Sequence, residues 1–320
     1  MVRDVGPTLI DAVLQIGGTV RSWSALARSW GTVYGVQVEG FEASRVVVKL
    51  LPYSEEPPWG EEKVTERIYG ERFSACPATF ALLRAHDLPA PRLYHHGRSP
   101  DGRHNVLVIE WLEGSPVDLR DASQARAAGE LLGRMHTITR AFPGWVEQPA
   151  PDATTWRDTV AASLDEQLAH FEEQGFMPDA LGPLRYQFDH LLAAWTEPHA
   201  FVLTNFEGIQ AMVRHRPDGR VEVTGLVDID DVQFTDPRFG LAGIIAGAAV
   251  GGGTIEQAFW DAYRARGNPG WHDDPVLKLF VLHRLSVWLA VFRADWTQPR
   301  HRDDPTARAT EAAIRALLGA

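Results

Sequence analysis

The chain has 320 residues, 45% hydrophobic and 23% charged, an ordinary globular composition that excludes collagenous, coiled-coil and disordered classes. Its length predicts one large or two packed domains. The 31 Lys and Arg against 42 Asp and Glu give a formal charge of −11, which argues against a nucleic-acid groove and suits cationic ligands.

One cysteine, Cys76, excludes an intramolecular disulfide and points to a reducing compartment. The longest apolar stretch, Leu241 to Val250, is broken by Gly243 and Gly247 and falls short of the ~18 residues a membrane span needs. The amino terminus carries Arg3 and Asp4 and lacks an apolar signal-peptide stretch, so a cytoplasmic protein without membrane attachment is expected.

In chain order, residues 7–29 are predicted helical, with Leu9, Val13, Leu14 and Ile16 apolar and Gly17-Gly18 interrupting. From Gly31 the period becomes two: residues 32–39 and 45–50 read as antiparallel strands around a turn at Gly40. Pro52, Pro57 and Pro58 force a loop, and residues 61–86 are helical, Pro77 being expected to start a new helix. The stretch from Leu88 to Tyr94 is extended, Asn105 to Ile109 is an apolar strand, and Glu110 to Gly114 connects onward. Asp121, or Ser123, caps a helix containing Leu131, Leu132, Met135 and Ile138. Residues 156–196 are helical again, followed by short apolar runs at 201–203 and 211–213, a turn at Pro217-Asp218-Gly219 and a strand over 221–227. Helices fill the remainder, one starting at Thr254 with Gln257 as capping-box partner. A strand-rich amino-terminal part thus precedes a mostly helical carboxy-terminal part.

Several segments carry more information in their order than singly. They are the hairpin ending Val46-Val47-Val48-Lys49, the strand running into Glu110-Trp111-Leu112-Glu113-Gly114, the helix end Leu132-Gly133-Arg134-Met135-His136, and Gly225-Leu226-Val227-Asp228-Ile229-Asp230 followed by Asp236-Pro237. This series resembles the aminoglycoside phosphotransferase family of kinase-like enzymes over roughly residues 25 to 300. The resemblance implies an α+β, two-lobed protein-kinase-like fold. Residues 1–110 would form a small lobe with an antiparallel sheet, 111–115 a hinge, and 116–320 a mostly helical large lobe with the catalytic and metal loops.

It also implies site residues. Lys49 would bind the α- and β-phosphates, held by a helix glutamate for which Glu71 is the candidate, or Glu66; the family spacing itself falls near Cys76. Gly31 and Gly35 are the glycines available to a phosphate-covering loop. Glu110 and Leu112 would offer backbone groups to a purine ring. Asp228 follows a buried apolar strand that offers its carboxylate no partner, and with Asp230 and Asp231 close by the cluster would repel itself without a cation, which points to Mg²⁺. Asp236-Pro237 is assigned a structural task. Gly240 stands where the family carries a further aspartate.

The catalytic loop departs from the family pattern of His-Gly-Asp, five residues ending in Asn, then a strand. With Ala211-Met212-Val213 as that strand, Asn205 replaces the base aspartate and Gln210 the metal-binding asparagine. A shifted register restores a carboxylate at Glu207 but puts Met212 at the metal position; the first keeps the strand in phase. The expected cofactor is ATP or GTP with Mg. The expected ligand is a small molecule, such as an antibiotic or a metabolite of natural-product assembly, or a peptide. Two functions stay open: a pseudokinase or altered-chemistry binding module, in one form supporting a partner enzyme, and an active phosphotransferase acting on a small-molecule or peptide hydroxyl. His136 and His283 are expected in the core, as are most of the 11 tryptophans, and His95-His96 lacks further ligands for zinc.

Overall fold

The computed structural model describes residues 6–28, 32–52, 64–148, 156–205, 210–271, 274–293 and 305–319, with the backbone alone for 27, 28, 52, 64–72, 231 and 291–293. The chain divides into two units. The first comprises Met1–Ser115 with Met212–Arg214 and Val223–Asp230, and the second comprises the rest.

The first unit holds α1 (Gly6–Leu14), β1 (Thr19–Arg28), β2 (Thr32–Glu39), β3 (Arg45–Pro52), α2 (Val64–Ala85), β4 (Leu93–Arg98) and β5 (His104–Glu110). Its antiparallel sheet has the order β1-β2-β3-β5-β4. Strand alternation gives this sheet two working faces. Tyr34, Val36, Val46, Val48, Leu50, Val106 and Val108 point to one face, where Leu9, Ala12 and Val13 of α1 complete the core. Val33, Val47, Lys49, Leu107 and Ile109 point to the other.

Two sequence expectations are corrected here. Residues 7–29 are not one helix, because Gly17, at φ 78°, turns the chain left-handed after α1. The Gly17 N–H donates to the Leu14 carbonyl and the Gly18 N–H to the Val13 carbonyl, at 3.0 and 3.1 Å, closing the helix as a Schellman motif. Thr19 to Arg28 then pair with β2, so the helix-tolerant Ser, Ala and Leu residues yield to cross-strand packing.

Pro77 starts no new helix but lies inside a continuous α2. A proline there removes the N–H that would bond the carbonyl four residues earlier, at Phe73. His96 on β4 supplies the missing donor: its Nε2 lies 2.8 Å from the Phe73 oxygen, and its ring stacks on the Phe73 ring at 4.0 Å. His96 is therefore a structural partner of a proline.

The second unit begins at Pro116, within β6 (Ser115–Pro116), and holds α3 (Ala122–Met135), β7 (Thr139–Arg140), α4 (Trp156–Gln174), α5 (Leu181–Ala194), β8 (Phe201–Asn205), β11 (Val232–Thr235), α6 (Pro237–Val250), α7 (Gln257–Ala265), α8 (Pro275–Arg293) and α9 (Pro305–Leu318). β9 (Ala211–His215) and β10 (Val221–Leu226) precede β11, and their Met212–Arg214 and Val223–Leu226 segments belong to the first unit. Asp121 caps α3, accepting from the N–H groups of Ser123 and Gln124 at 2.9 and 3.0 Å. The span 156–196 is two helices rather than one, broken where Gly175 and Met177 take φ 64° and 47°. Thr254 caps nothing: α7 starts at Gln257, whose amide bonds Asp261 instead. Among the described residues no helix is long and apolar enough to cross a membrane.

Two buried histidines tie these helices together. His136 Nδ1 meets the Tyr263 hydroxyl at 2.8 Å, and His283 Nε2 meets the Ser163 hydroxyl at 2.9 Å. Burial pushes both imidazoles down to about 3, with the adjacent Arg284 adding to the effect at His283. Both are thus neutral when folded, whereas the unfolded chain binds protons below pH ~6.5. The stability they lend is complete above that value and is lost as pH falls toward 3. Between pH 6.5 and 5 the pair should cost roughly 3 kcal/mol, and His283→Asn should remove about half of that slope in a urea-unfolding series across pH.

Candidate functional site

The open face of the first unit's sheet forms one wall of a cavity of about 180 Å³. Val47, Lys49, Leu107 and Ile109 line it from the strands, Phe80 from α2, Trp111 and Leu112 from the connector, Met212 from β9, Leu226 from β10 and Val227 just after it. An apolar slot with polar groups at one end is how small-molecule sites are built.

The polar end is formed by Lys49, Asp228 and Asp230. Lys49 reaches the cavity because β3 alternates: Val48 and Leu50 turn into the α1 core while Val47 and Lys49 turn away from it. Its Nζ donates to Asp228 Oδ1 at 3.0 Å and to both oxygens of Asp230 at 2.7 and 2.8 Å. Asp228 has φ 50°, a left-handed conformation that aspartate tolerates and that places Asp230 beside it on the same ammonium group. Three residues separated by 179 and 181 positions thus share one charge cluster.

The connector is fixed from both sides. Glu110 uses its backbone N–H to donate to the Arg92 carbonyl and its carboxylate to accept the Arg92 N–H, both at 2.9 Å. The Arg45 guanidinium lies 3.3 Å over the Trp111 ring centre. Among the described residues the Leu112 N–H finds no protein acceptor and stands at the cavity wall. Gly35 lies within β2 opposite Val47, where its missing side chain leaves room for Trp111 and Leu26. Gly31 falls outside the described residues.

Glu71 lies in α2, described there by backbone alone. Asn205 and Gln210 belong to the second unit. Asn205 ends β8, paired with Val232 on β11, and is fully buried, while Gln210 is half-buried just before β9. Glu207 falls outside the described residues. Gly240 has a neighbour that accounts for it: a Cβ there would overlap the hydroxyl of Thr204, which is itself buried without a hydrogen-bond partner.

Asp236 is structural. It caps α6 by accepting the Arg238 N–H at 3.0 Å, takes Arg238 Nε at 2.8 Å and Trp195 Nε1 at 3.3 Å, and is wholly buried. Sequence reasoning missed Leu26, Phe80, Met212 and Leu226 as cavity walls. Their signal is only the apolar side of an alternating strand or helix, which buried core residues share.

A sheet-rich unit with a lysine facing a strand-end aspartate, and a helical unit beside it in the sequence, define the kinase-like class of α+β folds. The chain matches the phosphotransferase enzyme family over residues 71–275, more than half its length, and belongs to that family. No curated protein sequence matches it. Among solved structures it is similar to a thermostable mutant of aminoglycoside phosphotransferase APH(4)-Ia in ternary complex with AMP-PNP and hygromycin B, at 17% identity, 98% coverage of each chain and a TM-score of 0.64. It is also similar to a putative fructosamine-3-kinase from Haemophilus somnus 129PT, at 15% identity, 97% coverage of each chain and a TM-score of 0.60. Macrolide 2'-phosphotransferase MphH from Brachybacterium faecium is similar at 17% identity, covering 97% of this chain and 96% of its own, with a TM-score of 0.58. At these identities the likeness is one of fold.

Proposed function

We propose that this chain binds a purine nucleoside triphosphate with Mg²⁺ in the first unit's cavity and transfers the terminal phosphoryl group slowly to a hydroxyl of a small molecule. The observation that carries this reading is the Lys49–Asp228–Asp230 cluster at the polar end of an apolar slot whose connector offers the unused Leu112 N–H. The donor set suits magnesium: the oxygens are hard carboxylates, and among the described residues no group of three or more His, Cys, Asp or Glu side chains forms a cage of its own. Mg²⁺ needs no such cage, since it usually arrives on phosphates and takes one or two carboxylates from the protein. When bound it would neutralise charge on the transferring phosphoryl group.

Asp228 would hold the metal. Lys49 would bind phosphate oxygens, and Leu112 would donate to the purine ring. Asn205 can orient an acceptor hydroxyl through its amide but cannot take its proton. Phosphoryl transfer passes through a loose transition state that owes most of its acceleration to positioning and charge, so the proton can leave late, to water or phosphate. The full burial of Asn205 in a strand ladder favours a second reading, a binding module that holds nucleotide without transfer.

Thermal unfolding with and without millimolar ATP, GTP and Mg²⁺ tests the first step. Nucleotide at about 100 times its Kd should add about 2.7 kcal/mol and raise Tm by several degrees. Asp228→Ala should abolish the metal-dependent part. No shift with either nucleotide would refute binding.

A further inference from the structure

We infer that Asp230 is the positioning carboxylate for Lys49 and is not a metal ligand. This rests on the nucleotide-binding reading above and concerns how that site is assembled. The two aspartates treat the ammonium group differently. Asp230 places both oxygens on Nζ at 2.7 and 2.8 Å, whereas Asp228 offers one oxygen at 3.0 Å. Their exposure differs in the same sense: the Asp230 side chain is 2% exposed and the Asp228 side chain 38%.

Magnesium dehydrates reluctantly and keeps several waters, so its protein ligand must stand where a hydrated ion can approach. Asp228, with its side chain 38% exposed, has that access. Asp230 is shut away with both oxygens directed at the lysine. The backbone supports this division. The left-handed turn at Asp228 and the burial of Ile229 between the two acids hold Asp230 on the buried side of the ammonium group. When metal takes Asp228, Asp230 keeps Lys49 aimed at the phosphates.

A double-mutant cycle on the full chain tests this, with methylanthraniloyl-ATP and Mn²⁺ as probes and equilibrium fluorescence as readout. Lys49→Met and Asp230→Asn should each weaken nucleotide binding about tenfold or more, and the double variant should be no weaker than Lys49→Met alone. The Mn²⁺ concentration for half-saturation should be unchanged by Asp230→Asn and raised by Asp228→Asn. The inference is overturned if Asp230→Asn still weakens binding in the Lys49→Met background, or if it raises the Mn²⁺ requirement as Asp228→Asn does. Should the amide variant fail to fold, Asp230→Ser runs the same cycle with the same criteria. Wild-type protein that binds no nucleotide removes the functional reading and this inference together, whereas binding with independent effects removes this inference alone.

Discussion

Asp236→Ala should destabilise the second unit by about 3–5 kcal/mol, measured by urea unfolding with tryptophan fluorescence, and should do so with no nucleotide present. The reason is what the carboxylate leaves behind. Arg238 is nearly buried and keeps Asp274 at 3.1 Å, but loses the partner of its Nε, while the Trp195 indole N–H loses its acceptor inside the core. The first turn of α6 loses its cap as well, a further ~1 kcal/mol in ordinary helices. Asp236→Asn keeps one acceptor and most of the cap, so its cost should fall between alanine and wild type. A loss of this size approaches the whole net stability of many domains, so low soluble yield of the alanine variant would accord with it.

Asn205→Asp should raise phosphoryl transfer or nucleotide hydrolysis by about 10² to 10⁴, read as ADP release in a coupled assay. The exchange is nearly isosteric and turns an amide that cannot accept a proton into a carboxylate that can. Its setting predicts two further signs. Asn205 is fully buried, so burial should hold the new carboxyl above the ordinary aspartate range and the rate should rise with pH through that higher value. A buried acid also costs stability, on the order of 1–3 kcal/mol. An unchanged rate with intact nucleotide binding would favour the binding module over the slow transferase.

Much of the fold was legible where local chemistry and tertiary packing agree. β2, β3 and β5 were legible as alternating or unbroken apolar runs of strand length, the latter because both faces of their sheet are covered, and Asp121 caps α3 as its spacing says. Legibility failed where a distant partner decided the outcome. Nothing near Pro77 shows that His96 will satisfy the carbonyl the proline orphans. Nothing within residues 19–28 announces the strand that pairs with β2. The site follows the same rule. Lys49 and Asp228 were found by the order of motifs, since each stands at a marked strand position, whereas Phe80 and Met212 look like any buried residue until the cavity exists. What Gly35 makes room for was not legible either, since a glycine in a strand opens space for whatever packs on it, here Trp111.

Thr204 and Gly240 constrain each other as a pair. A Cβ at 240 would overlap the Thr204 hydroxyl and lie 3.0 Å from its Cβ, so a side chain enters at 240 only if the threonine turns away or is itself replaced by something smaller. What either position tolerates is therefore conditional on its neighbour, and replacements there should be made and judged two at a time.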